Sequence, residues 1–276
     1  IETPEDLDRV TTFPCFVKRP VGTASMGVKR ATTRGELDAA ARALGLGADA
    51  LIVQAAVDGP LAMVQAVADH GRLIAHHANL RLRDGVGGGA ALKESVTIAG
   101  LRDLLTRLVA GLSWHGALSL DVVIGAEGPQ VIDVNPRLVE PANALAAGVD
   151  LVGAMLDLAR GVAPLEQPPG RAGVRTHQTL LAVLGAAERG GRRAILKETC
   201  AAVRARGPYA GSREELTPLA GDPRAAIPVV IALALALVHP RLWRHFHQSA
   251  AGTYAMTPQA WQAIIAEADR DARMRW

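Results

Sequence analysis

Between residues 13 and 84 the apolar stretches are short and bounded by polar or glycine-containing segments: Phe13 to Lys18, Val28 to Thr32, Ala50 to Gln54, Leu61 to Ala68 and Leu73 to Ala78. Runs of that length with that punctuation predict strands. One helix is expected among them. Thr33 followed by Glu36 is a capping-box signature, Leu37, Ala40, Ala41 and Leu44 recur at helical spacing, and Gly45 and Gly47 end the pattern. Residues 85 to 89 (Gly-Val-Gly-Gly-Gly) read as a flexible link. Beyond them Leu101, Leu104, Leu105, Leu108 and Leu112 share one side of a helix from about Ile98 to Leu112. A hairpin follows, with strands Gly116 to Ile124 and Pro129 to Asn135 joined by the turn Ala126, Glu127, Gly128. Asp150 is placed to cap a further helix that ends at Gly161.

Past the proline-rich stretch Pro164 to Gly170, helical segments are expected at about Thr179 to Arg189, Arg192 to Arg206, Arg224 to Val238 and Pro258 to Arg273. The run Ile227 to Val238 is strongly apolar but has 12 residues and contains Pro228. A bilayer crossing needs roughly 20. A buried or interfacial helix is therefore expected, with membrane-surface contact as the lesser alternative.

Composition narrows the function. With 276 residues, 49% hydrophobic and 21% charged, the chain can bury a core for one large domain or two smaller ones. Aromatics are 3%, which limits stacking surfaces for bases, and 30 basic against 27 acidic residues leave no basic track with interleaved aromatics. Nucleic acid is not an expected partner. Cys15 and Cys200 lack metal-ligand or redox spacing, which suggests buried thiols in a reducing compartment. Ile1 to Val10 is acidic and polar, without the basic-then-apolar order of a signal peptide, so a cytoplasmic location is expected. The start at Ile1 reads as the middle of a domain, with an N-terminal portion expected to be missing.

The hairpin carries the most informative chemistry. Strand alternation puts Val131, Asp133 and Asn135 on one face, and sets Asp121 opposite the all-apolar Leu118, Leu120, Val122 and Ile124. A three-residue turn centred on Glu127 places Asp121 across from Asp133, with Cβ atoms roughly 4.5 to 5.5 Å apart. Facing carboxylates repel unless one is protonated or a cation sits between them, and two Asp with an Asn suit Mg²⁺. Arg137, just past the strand, can hold phosphate or carboxylate oxygens with its planar fork.

Lys18 leads into a loop containing Gly22, Thr23, Ser25, Met26 and Gly27, a segment able either to wrap phosphates with backbone N–H groups or to serve as a plain hairpin turn. It is not a Walker A loop, because the lysine precedes the glycines and a strand follows. Arg81, Arg83 and Lys93 form a basic set that could meet an anionic substrate or simply face solvent. His76 and His77 are adjacent on a strand, face opposite sides and cannot share one metal.

Taken in order, Phe13 to Pro20 with the Gly22 to Gly27 loop, Leu51 to Gln54 ending before Gly59, and Leu118 to Asp121 followed by Val131 to Arg137 resemble the ATP-grasp superfamily. The branch of carbamoyl-phosphate synthase, biotin carboxylase and carboxylate–amine ligases is nearest. The resemblance covers roughly residues 10 to 161. It implies an α+β fold of two subdomains clasping ATP, at about 13–84 and 85–161 within a domain of residues 1–161. A mainly helical region would occupy 162–276. Lys18 and the glycine loop would contact ATP phosphates, and Gln54, Ala55 and Val57 would lie along the adenine hinge. Asp121, Asp133 and Asn135 would hold Mg²⁺ or Mn²⁺, and Arg137 would stabilise the transferred phosphoryl group. Ala55 and Ala56 depart from the Glu and aromatic that many relatives carry after the hinge Gln. The implied activity is ATP-dependent ligation of a small carboxylate to an amine or other nucleophile, in a chain that could form homo-oligomers. The alternative is a non-catalytic ATP-binding or scaffold module, associated with a membrane surface through residues 227–238.

Overall fold

A computed structural model describes residues 1–20, 27–48, 50–217, 222–244, 260 and 262–267. It divides the chain into two compact units, one built on Ile1–Val57 with the described residues among 247–276, the other on Asp58–Phe246.

The first unit is a three-stranded antiparallel sheet backed by a helix. Its strands are β1 (Cys15–Lys18), β2 (Val28–Ala31) and β3 (Ile52–Ala55), in the order β2-β1-β3, and α1 spans Arg34–Leu44. The helix begins where the Thr33 side chain accepts the Glu36 N–H, while the Glu36 carboxylate accepts the Thr32 N–H at 2.7 Å. It ends at Gly45, whose φ of 91° is a left-handed C-cap conformation that suits glycine. Leu37, Ala40, Ala41 and Leu44 pack against Cys15, Val17 and Ala31, so the periodic face read from sequence is the buried one. Phe16 and Lys18 alternate away from that core.

The second unit is built on a seven-stranded sheet in the order β10-β9-β6-β5-β4-β7-β8. Its longer strands are β4 (Leu61–Asp69), β5 (Arg72–Asp84), β6 (Ala90–Ser95), β7 (Gly116–Gly125) and β8 (Gly128–Asn135); β9 (Arg175–His177) and β10 (Arg213–Glu214) are short. The helices are α2 (Leu101–Gly111), α3 (Ala142–Ala147), α4 (Leu151–Ala159), α5 (Thr179–Val203) and α6 (Ala226–Val238). On one face Leu101, Leu105 and Val109 of α2 cover Val64, Ala66, Leu118, Leu120 and Val122. On the other, α3 and α4 cover Val67, Ile74 and Ala75.

Two expectations change here. β4 and β5 pair with β7 and β6, so the division between units falls after Val57 rather than near residue 84. Strand pattern alone does not say which sheet a strand joins. The glycines at 85–89 connect β5 to β6 as a tight turn in which Gly85 N–H donates to Gly89 O at 2.6 Å. Beyond residue 162 the short strands β9 and β10 extend the sheet. The helices predicted at Thr179 to Arg189 and Arg192 to Arg206 are the two halves of α5, divided at non-helical Gly190 and Gly191. The helix expected at Pro258 to Arg273 falls mostly outside the described residues; residues 260 and 262–267 are helical.

Candidate functional site

The β7–β8 hairpin presents the two aspartates through a register that differs from the expected one at two points. Its turn has two residues, Ala126 and Glu127, since Gly125 pairs with Gly128. Continued without a break, that register would set Asp121 against Ile132 and turn Asp133 toward the apolar core. Instead the pairing shifts between Asp121 and Val122: Val122 pairs with Val131, Asp121 with Asp133, Leu120 with Val134 and Ser119 with Asn135. One extra residue on β8 restores the opposition of the two carboxylates, as bulges do when they re-aim side chains. Val131 consequently packs against the cluster under α2 and does not share the face of Asp133 and Asn135, contrary to strict alternation.

Asp133 is exposed and Asp121 half-buried. Asn135 Nδ2 donates to Asp133 Oδ2 at 2.8 Å. Arg137 is exposed, and its backbone N–H donates to Asn135 O at 2.9 Å in the tight turn that ends β8.

The polar face continues across the sheet. Met63 pairs with Asp121 on one side and Asn79 on the other, so Asn79 lies two strands, about 10 Å, from Asp121. Both amide atoms of Asn79 and the Nε2 of Gln65 are buried with no hydrogen-bond partner among the described residues, while Gln65 Oε1 accepts Val139 N–H at 2.9 Å. Unpaired buried amides cost free energy and are uncommon in native proteins. Gln65 and Asn79 escaped the sequence reading. Their signal was a polar residue at period two inside apolar strands, on the face that Asp121 occupies.

His77 lies farther along the same face, buried, its Nε2 2.7 Å from Asn143 Oδ1; Asn143 Nδ2 in turn donates to Thr176 Oγ1 at 2.8 Å. Burial holds His77 below the usual histidine range, although the Asn143 bond opposes the shift. His76 is held low by burial and by the Arg102 charge.

Arg81, Arg83 and Lys93 do not form one anion-binding set. Arg81 pairs with Asp84 at 2.8 Å and donates to Gly88 O. Arg83 forms a two-pronged ion pair with Glu198, whose carboxylate also accepts the Tyr209 hydroxyl. Lys93 is fully buried and donates to Glu140 at 2.6 Å and to Glu215. Each cation already faces a carboxylate, which removes the net positive charge an anionic substrate would need. Glu140 was missed by sequence reasoning; its φ of 51° marks it as a strained non-glycine residue just past the Asn135–Arg137 segment.

In the first unit, Lys18 Nζ donates to Gln54 Oε1 at 2.6 Å across the β1–β3 pair. Arg19 N–H donates to Gly27 O at 2.9 Å, closing the β1–β2 hairpin, and an added Cβ on Gly27 would lie 3.2 Å from Arg19 Cβ. Gly22, Thr23, Ser25 and Met26 lie outside the described residues. Ala55 and Val57 follow Gln54 at the end of β3; Ala55 lines, with Cys15, Val53 and Thr12, a cleft of about 550 Å³. Cys15 and Val53 belong to the core side of the sheet, so that cleft opens on the face opposite Lys18 and Gln54.

No family model matches the sequence, and no curated protein matches it. Solved structures do. N5-carboxyaminoimidazole ribonucleotide synthetase from Thermus thermophilus matches with a TM-score of 0.50 at 16% identity, over 75% of this chain and 66% of that one. The biotin carboxylase domain of 2-oxoglutarate carboxylase from Hydrogenobacter thermophilus, solved as a dimer with MgADP, ADP and bicarbonate, matches with a TM-score of 0.47 at 18% identity, over 62% of this chain and 42% of that one. Biotin carboxylase from Campylobacter jejuni matches with a TM-score of 0.47 at 18% identity, over 59% and 40%. The chain spans about two fifths of the length of those two carboxylases. At such identities the likeness concerns architecture, and the Thermus synthetase carries it. The α+β architecture of this chain is the ATP-grasp fold.

Proposed function

We propose that the protein is an ATP-dependent ligase that activates a carboxylate as an acyl phosphate for attack by an amine or another nucleophile. The observation that carries this reading is the registered Asp121–Asp133 pair with Asn135 beside it, on the polar face of a sheet in an ATP-grasp fold. The donor set is all oxygen and doubly negative, which fits Mg²⁺, or Mn²⁺ in its place. Asp121, Asp133 and Asn135 would hold that ion, which with ATP supplies neutralisation of phosphate charge.

Arg137 would hold the oxygens of the transferred phosphoryl group, and Lys18, kept in place by Gln54, would meet phosphate oxygens together with the Gly22 to Gly27 loop. Gln54, Ala55 and Val57 would follow the adenine. A substrate carboxylate oxygen attacks the γ-phosphorus and ADP leaves; the nucleophile then attacks the acyl carbon, and phosphate departs with the former carboxylate oxygen. Catalysis of this kind is mainly positioning and charge stabilisation.

The test is ADP release by the full-length protein with Mg²⁺, a panel of carboxylates and a panel of amines. Amine-stimulated release is expected, with a fall of at least about 100-fold in Asp133→Ala. Activity that survives the substitution refutes the site. ATP binding without turnover on any pair refutes the ligase reading and favours a non-catalytic nucleotide-binding module.

A further inference from the structure

The end of the second unit's sheet away from Asp121 gathers three metal-ligating side chains that the ligase reading does not use. Asp69 ends β4, His70 sits in the turn to β5, and His115 precedes β7; one ligand atom from each lies within 4.8 Å of the others. The two imidazoles stack with centroids 4.2 Å apart, and Asp69 Oδ1 is 3.4 Å from His115 Nδ1. Arg72 holds the other carboxylate oxygen, Oδ2, at 3.3 Å, which leaves Oδ1 directed at the histidines.

The backbone fixes this arrangement. His70 and Gly71 have φ of 46° and 86°, the left-handed pair that a two-residue hairpin turn requires. Gly71 N–H donates to Trp114 O at 2.8 Å, tying the turn to the segment that carries His115. An added Cβ on Gly71 would lie 3.4 Å from Ala110 Cα, so the turn rests on the last turn of α2. The C-terminal end of a helix carries partial negative charge and favours a cation.

The geometry points to Asp69, His70 and His115 as a binding site for a divalent transition-metal ion, zinc being the best chemical fit. Two borderline imidazole nitrogens with one carboxylate oxygen suit Zn²⁺, whereas Mg²⁺ favours oxygen alone. Three protein ligands leave a fourth tetrahedral position for water. The ion would staple the β4–β5 turn to the entrance of β7, the strand that also carries Asp121. At about 3.3 Å per residue, Asp121 lies roughly 20 Å along that strand from His115, too far to share a ligand.

Metal-free full-length protein titrated with ZnCl₂ by calorimetry, and with Co²⁺ by visible absorption, tests the assignment. Binding of one equivalent of zinc and tetrahedral Co²⁺ bands are expected in the wild type and in Asp133→Ala. His70→Ala and His115→Ala, whose side chains are exposed, should keep the wild-type circular dichroism and lose at least about 10-fold in affinity. No stoichiometric binding by the wild type, or undiminished binding by His115→Ala, would overturn the proposal. So would loss of binding in Asp133→Ala, which would place the ion at the hairpin aspartates instead.

Discussion

At Asp121 and Asp133, two carboxylates occupy opposite positions of a registered strand pair, an arrangement in which like charges are destabilising. In EDTA, Asp133→Asn should therefore melt slightly above the wild type. Mg²⁺ should raise the wild-type midpoint and leave the variant nearly unchanged; an equal response of both proteins would separate these residues from metal binding. The buried histidines make a second residue-scale prediction. Burial keeps His77 below its ordinary value of 6.5 in the folded chain, whereas the unfolded chain takes up a proton there. The unfolded state binds more protons in that window, so this contribution to stability is complete above about pH 6.5 and is lost as pH falls toward the depressed folded value. His76 and His177, also held low by burial, add to the same loss. Urea titrations from pH 8 to pH 5 should show a smaller loss for His77→Gln than for the wild type, and an equal loss would contradict the assignment.

The elements show which local signals decide structure. Thr33 and Asp150 were legible as caps because a side-chain oxygen at that position satisfies an orphan N–H; Asp150 Oδ1 accepts Gly153 N–H at 2.7 Å. Asp150→Ala should cost about 1 kcal/mol in chemical denaturation. The glycine pair inside α5 was equally legible, and Gly191 adopts φ 65°, ψ −153°, a region open essentially to glycine alone. Gly191→Ala should therefore destabilise by about 1–3 kcal/mol, and a neutral result would argue that the break in the helix is absent in solution. The β8 bulge was not legible. The Asp121–Asp133 opposition was inferred from a three-residue turn, whereas a two-residue turn and one extra strand residue produce it. Short β9 and β10 were missed because two or three residues carry no periodicity.

On the scale of the whole molecule, sequence periodicity revealed the core face of α1 and most of that of α2, where Val109 is also buried and Leu112 exposed. It did not reveal that β4 and β5 belong to the larger sheet, because partner choice depends on contacts distant in sequence. The same long-range pairing brings Gln65 and Asn79 onto the face of Asp121, and sets Lys93 between Glu140 and Glu215. Leu105, fully buried where α2 meets this sheet, is a fair measure of that packing; Leu105→Ala should cost about 2–5 kcal/mol. An isotope experiment reaches the proposed acyl-phosphate chemistry directly. Full-length protein would be turned over with ATP, Mg²⁺, an amine and a carboxylate labelled with heavy oxygen at both positions. Transfer of one labelled oxygen into the released inorganic phosphate, together with ADP formation, is the result expected; unlabelled phosphate, or AMP with pyrophosphate, would contradict it.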